Sequence, residues 1–318
     1  MPEKKKDARI VKTYEFPTKP EKKTLGQILY DKETGQVFGR TAKSWGQLFV
    51  FYMIFYALLA ALFTICMQAL LATMNTQFPK WQLDASIIGT SPGVGYRPMA
   101  TDSDTENIIR YTAANKSDVQ QWVSRIDDFL TPYKDISKLI GNGKNQVICD
   151  VNSPPTGGNV CAFDTSKLGP CSSEQGYSYN KSAPCMFIKL NRIYGWVPEL
   201  YDDVNDLPSD MPTDLVEHIK SLPENERKQI WVSCNGLTAA DAETIGPLKY
   251  FPARGLPSYY YPYTNKPGYL SPLVAVHFAR PTVKENINVE CRVWAKNVIY
   301  RGGHRDRRGS LHVVLRIE

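Results

Sequence analysis

The chain has 318 residues, with 38 Lys and Arg against 32 Asp and Glu, for a formal net charge of +6. That surplus is concentrated in the first 43 residues, which hold 11 basic and 6 acidic side chains, so no broad basic surface remains and no nucleic-acid partner is expected. Length alone admits one large domain or two small ones. The seven cysteines and four histidines include no C-x-x-C pair and no zinc-ligand spacing, so neither a metal nor a cofactor is expected.

Residues 1–43 are charged, punctuated by Pro and Gly, and too poor in apolar side chains to build a core. No charged residue then occurs between Lys43 and Lys80, and residues 48–74 read LFVFYMIFYALLAALFTICMQALLATM. As a helix this run reaches roughly 40 Å, enough to cross a hydrocarbon core with some tilt. More than forty polar residues precede it, which excludes a cleaved signal peptide and predicts a signal anchor over residues 44–75. The basic tail places the N-terminus in the cytosol and everything beyond the span outside, the topology of a single-pass type II protein in a lipid bilayer.

Residues 76–100 contain PKWQLDASIIGTSPGVGYRPM and read as an irregular stalk. An outer domain over residues 101–318 follows. Within it, residues 118–130 place Val119, Trp122, Val123, Ile126, Phe129 and Leu130 at helical spacing behind a Ser117 or Asp118 cap. Residues 287–294 and 311–318 alternate apolar and polar side chains with period two, which predicts strands of a half-buried antiparallel sheet. Further strands are expected at 185–190, 230–234 and 273–279. The expected fold is a single transmembrane helix plus a mainly-β ectodomain, a disulfide-stapled sandwich with one added surface helix.

Cys66 falls in the span, and Cys149, Cys161, Cys171, Cys185, Cys234 and Cys291 lie beyond it, an even set suited to an oxidising compartment. Fifteen pairings are possible, and the spacing favours neighbours. Asn115-Lys116-Ser117 and Asn180-Lys181-Ser182 are glycosylation sequons on the outer side. Two apparent enzyme motifs carry no weight. In the segment from Asp31 to Gly35, Glu33 interrupts a DKTG-like run with no nucleotide domain around it, and Asp102-Ser103-Asp104 lies near the stalk without the strand and helix alternation of a transferase.

Long motifs in a fixed order carry a family resemblance. GQVFGRTAKSWGQLFVFYMIFY over residues 35–56 resembles the membrane entry of Na,K-ATPase and H,K-ATPase beta subunits, with a Gly-Arg-Thr and Ser-Trp signature before an aromatic FY-x-x-FY run. CAFDTSKLGPCSSEQGYSYNKSAPCMFIKLNRIYGWVP over 161–198 and YYPYTNKPGYLSPLVAVHF over 260–278 resemble the central block and YYPY segment of the Na,K-ATPase beta family. The stalk SPGVGYRP suits an invertebrate member, while residues 212–229 are helix-like and depart from the vertebrate pattern.

The resemblance implies an immunoglobulin-like sandwich with sequentially paired cysteines. It also implies a noncatalytic subunit that accompanies a catalytic alpha subunit to the plasma membrane and modulates its K+ and Na+ handling. A small single-span regulatory subunit is a further implied partner. An H,K-ATPase-type beta subunit and a cell-surface adhesion glycoprotein remain as alternatives. The resemblance assigns the aromatic face of Phe51, Tyr52, Phe55 and Tyr56 to the alpha subunit, and Ala57, Ala61, Thr64 and Gln68 gather on the opposite side of the helix. Tyr259, Tyr260 and Tyr261, with the stalk from residue 82 to 98, are expected to contribute a second contact or to cover the sandwich core.

Overall fold

A computed structural model describes residues 29–31, 34–100, 107–303 and 306–318. Most of the N-terminal tail, Lys32 and Glu33 of the DKTG-like run, and Asp102-Ser103-Asp104 lie outside the described residues. The chain divides into two compact units, Met1–Met74 and Asn75–Glu318.

The first unit is dominated by helix α1, Ala42–Ala72, which has no buried residue. Its start is fixed locally. Thr41 is extended, and its side-chain oxygen accepts a hydrogen bond from the Ser44 amide at 3.4 Å, satisfying one of the donors that every helix N-terminus leaves free. The Trp45 indole donates to the Val37 carbonyl at 2.9 Å and ties the first turn to a short hairpin in which Tyr30–Asp31 pairs with Gln36–Val37. Gly39, at φ 72°, adopts the left-handed conformation that this tight entry needs.

In the second unit, nine strands build two sheets. Strands β1 (Val94–Arg97), β3 (Cys185–Leu190), β5 (Leu248–Phe251) and β7 (Val274–Phe278) form a four-stranded sheet in the order β1-β3-β7-β5. Strands β2 (Ile108–Tyr111), β4 (Gln229–Gly236), β6 (Gly255–Pro257), β8 (Ile287–Trp294) and β9 (Ser310–Ile317) form a five-stranded sheet in the order β6-β4-β8-β9-β2. The alternation expected for β8 and β9 is present, with Ile287, Val289, Cys291, Val313, Leu315 and Ile317 buried. These side chains share one core with Ile188, Val274 and Val276 of the other sheet, the face-to-face packing that makes a sandwich.

Several expectations need correction. Val94–Arg97, expected to be part of an irregular stalk, is strand β1 at the edge of the four-stranded sheet. The five-stranded sheet is mixed rather than antiparallel, because β2 arrives from the stalk side and pairs parallel to β9, with Ile109 opposite Leu315. The surface helix α2, Lys116–Lys134, is capped by Asn115, not by Ser117 or Asp118. Asp118 accepts instead from the Thr112 amide at 2.6 Å and so holds the turn before the helix. The expected stripe of α2 does bury Trp122, Val123, Ile126 and Leu130, and the Trp122 indole donates to the Arg110 carbonyl of β2 at 3.0 Å.

The helix-like segment that departs from the vertebrate pattern forms helix α3, Thr213–Ser221. It covers the outer face of β4 and β8, where Met211, Leu215, Ile219, Trp231 and Trp294 make a second apolar cluster. Trp294 therefore departs from the solvent-facing position that its place in the alternation implies, and its indole donates to the Ser233 hydroxyl at 2.8 Å.

Disulfides join Cys149 to Cys161, Cys171 to Cys185 and Cys234 to Cys291. The last lies within one sheet, since Cys234 of β4 is the direct partner of Cys291 in β8, whereas antibody domains place theirs between sheets. Next to it, helix α4, Ala239–Thr244, begins with a capping box between Thr238 and Asp241. The buried Asp241 carboxylate accepts from the Thr238 amide and hydroxyl and from the Asn288 amide and side chain, at 2.6 to 3.2 Å. Gly236 permits the approach, because a Cβ there would lie 2.2 Å from the Ala242 nitrogen.

Burial acts to raise the Asp241 carboxyl, but these four bonds outweigh it and hold the group below the usual carboxylate range. Its stabilising contribution is thus present at neutral pH and is lost as pH falls through that depressed value. Asp241→Ala is expected to lower unfolding stability by about 2 to 3 kcal/mol at pH 7, and by less in acid, as read by denaturant titration at the two pH values. Leu215→Ala is expected to cost about 2 to 5 kcal/mol through the cavity it leaves beneath α3.

Candidate subunit-contact surfaces

On α1 the FY-x-x-FY run forms two aromatic ladders. Phe51 stacks on Phe55 with ring centroids 6.3 Å apart, and Tyr52 on Tyr56 at 6.0 Å, because residues four apart share a helix face. Edge contacts of 5.4 Å join the ladders at each level. All four rings are exposed within their own chain. They form a rigid, ridged surface with few rotamers to lose on binding, suited to association by van der Waals fit inside a bilayer. Cys66 on the same helix carries a free, exposed thiol.

In the second unit the stretch expected to be a stalk leaves Trp81, Ile87 and Ile88 exposed, Ile87 completely. Beside it is a cavity of about 400 Å³ lined in part by Phe78, Trp81, Leu83, Ile88, Tyr194 and Tyr263. The loop after the YYYPY segment closes on the stalk, since the Asn265 side chain donates to the Gln77 carbonyl at 3.2 Å. Arg192 lies over the rings of Tyr263 and Tyr269, at 5.3 and 5.2 Å, and donates to the Tyr269 carbonyl and the Ser271 hydroxyl. Burial pushes the Tyr269 hydroxyl up to about 12, against the opposing pull of Arg192.

The three neighbouring tyrosines divide their duties. Tyr260 is buried, and its hydroxyl donates to the Ala162 carbonyl at 2.8 Å. Tyr261 is half-buried, with its ring edge-on to Trp196 at 5.5 Å. Tyr259 is half-buried and stacks on Tyr260 at 5.0 Å. All three tyrosines border a small cavity shared with Pro154, Pro155 and Lys266.

Asn115 and Asn180 are both exposed. Asn115 uses its side-chain oxygen to cap α2, accepting from the Ser117 amide at 3.1 Å. Sequence reasoning gave no role to Arg192, although it lies in the KLNR string. It also missed the capping roles of Thr41, Ser44 and Trp45, for which the Gly-Arg-Thr and Ser-Trp signature was the available signal.

The family model described as the sodium/potassium ATPase beta chain matches residues 16–313, so the match extends into the tail beyond the motifs first recognised. The sodium/potassium-transporting ATPase subunit beta-2 of Drosophila melanogaster is 47% identical over 306 residues, covering 95% of this chain and 94% of its own length. Subunit beta-1 of the same organism is 45% identical, with 94% of each chain covered. The human subunit beta-2 is 31% identical over 300 residues, covering 87% of this chain and 91% of its own.

Tyr260→Phe removes one buried hydrogen bond and is expected to lower unfolding stability by about 1 kcal/mol. Tyr259→Phe should leave stability unchanged within about 0.5 kcal/mol, and thermal or denaturant unfolding of the two variants separates them.

Proposed function

Because this chain belongs to the sodium/potassium ATPase beta-chain family, we propose that it is the noncatalytic beta subunit of a plasma-membrane Na,K-ATPase. In that role it assists assembly, trafficking and stability of the catalytic alpha subunit and biases the pump's handling of K+ and Na+. The observation that carries this reading is the family match over nearly the whole chain together with α1, an apolar helix exposed along its full length.

Residues 1–43 form the cytosolic tail, residues 44–75 the bilayer span and residues 76–100 the stalk, whose segment Val94–Arg97 already enters the extracellular sandwich of residues 101–318 as β1. The excess of basic residues before the span and their scarcity just after it support this orientation. Asn115 and Asn180 are the proposed glycosylation sites. The ladders of Phe51, Tyr52, Phe55 and Tyr56 face the alpha subunit, and the side with Ala57, Ala61, Thr64 and Gln68 is left to lipid or a small single-span regulatory subunit. Outside the membrane, the apolar stalk surface and the outward part of Tyr259 extend the contact, with Tyr260 and Tyr261 setting its shape from beneath. A partner that binds the pump's conformations unequally shifts their populations by the difference, which is how a noncatalytic chain alters cation affinity.

Tyr52→Leu combined with Tyr56→Leu preserves apolarity but removes the stacked rings. Co-expressed with an alpha subunit, the double variant is expected to weaken co-purification or to shift K+ activation of ATP hydrolysis several-fold. Unchanged recovery and unchanged cation affinity would remove these two residues from the contact.

A further inference from the structure

The short hairpin before α1 turns its apolar face outward. Tyr30 pairs with Val37, and Asp31 with Gln36. Opposed side chains of a ladder share a face and successive pairs alternate, so one face is apolar and the other polar. Tyr30 and Val37 are nevertheless exposed by 54% and 42%, whereas Asp31 and Gln36 are half-buried. Leu29, Phe38 and Trp45 beside them are also exposed, Phe38 by 60%. Single exposed apolar side chains are ordinary, but a contiguous group of five marks a surface that meets something other than water.

Backbone bonds pin this group to the helix. The Trp45 indole holds the Val37 carbonyl, Val37 and Arg40 exchange backbone hydrogen bonds of 3.0 and 3.1 Å, and the Phe38 amide donates to the Leu29 carbonyl at 3.2 Å. Phe38 and Gly39 are both left-handed, at φ 49° and 72°, and turn the chain sharply into α1. The hairpin therefore stays at the level of the first helical turn. As a helix, the apolar run of residues 48–74 measures roughly 40 Å, against a hydrocarbon core of about 30 Å. Its ends reach the headgroup layer, and with modest tilt Trp45, three residues earlier, lies in that layer too.

We propose that the paired strands Tyr30–Asp31 and Gln36–Val37, with Phe38 and Trp45, form an interfacial anchor seated in the headgroup layer of the cytosolic leaflet. This rests on the reading of residues 44–75 as a bilayer span with its N-terminus in the cytosol. Two features select lipid as the occupant. The tether to Trp45 places the apolar face at the boundary between headgroups and acyl chains, the level that Tyr and Trp favour. Arg40 and Lys43, both exposed, flank the entry at the same level, where the cytosolic leaflet offers anionic phosphates. Such an anchor fixes the depth and rotation of α1, and with them the direction in which the ladders of Phe51, Tyr52, Phe55 and Tyr56 point.

The test uses the full-length chain carrying Cys66→Ser, with Phe38→Cys, Gln36→Cys or Leu62→Cys added singly and labelled with a fluorophore. Each is reconstituted into phosphatidylcholine–phosphatidylserine vesicles with and without an alpha subunit. Quenching is measured with lipids spin-labelled at the headgroup boundary or deep in the acyl chain, and with aqueous iodide. The expected result is boundary-lipid quenching at Phe38 several-fold stronger than at Gln36, and weaker iodide quenching, whether or not the alpha subunit is present. Equal quenching at the two positions, or protection of Phe38 that appears only with the alpha subunit, would overturn the anchor while leaving the span intact. Absence of deep-lipid quenching at Leu62 would instead remove the span and the anchor with it.

Discussion

The 31 residues of α1 bury no side chain within the chain. Each Leu, Ile, Phe or Met kept from water gains about 1.5 to 3 kcal/mol, so the run as a whole represents tens of kcal/mol, against a net domain stability of about 5 to 15 kcal/mol. Among the described residues none buries a side chain of this helix, and its length and composition suffice to cross a membrane. The capped start at Thr41, the indole of Trp45 bonded back to Val37 and the paired aromatic ladders give the span a fixed beginning and a patterned face.

The second unit is built as a stiff frame. Its core is closed by two sheets and by α2, its outer face is thickened by α3, and three disulfides hold loops and strands in place. The rigidity of the frame keeps side chains from distant parts of the sequence aligned. The cation over its tyrosines at Arg192 and the exposed stalk residues lie on elements anchored in that frame. An accessory subunit acts by differential binding, for which a stiff scaffold is suited because little of the contact energy is lost in ordering it.

Much of this organisation is readable from periodicity. The span, α2, β8 and β9 are long and regular enough that their apolar spacing identifies them. Short elements escape. Strand β2 has four residues and no pattern of its own, and only its pairing with β9 shows that it is parallel. The cap of α2 moved because Asp118 was taken by the Thr112 amide, a competition that local sequence does not display. Trp294 looks solvent-facing by alternation alone, and it is buried because α3, some 80 residues earlier, folds over it. On the contact surfaces, the aromatic ladders follow from an i, i+4 rule.

The most direct measurement is affinity capture of the full-length chain from detergent-extracted native membranes, followed by assay of ATP hydrolysis with Na+ and K+ supplied separately and together. The beta-subunit reading predicts a larger polypeptide in the eluate and hydrolysis that requires both cations. Recovery of the folded chain alone, with no cation-dependent hydrolysis, would contradict it.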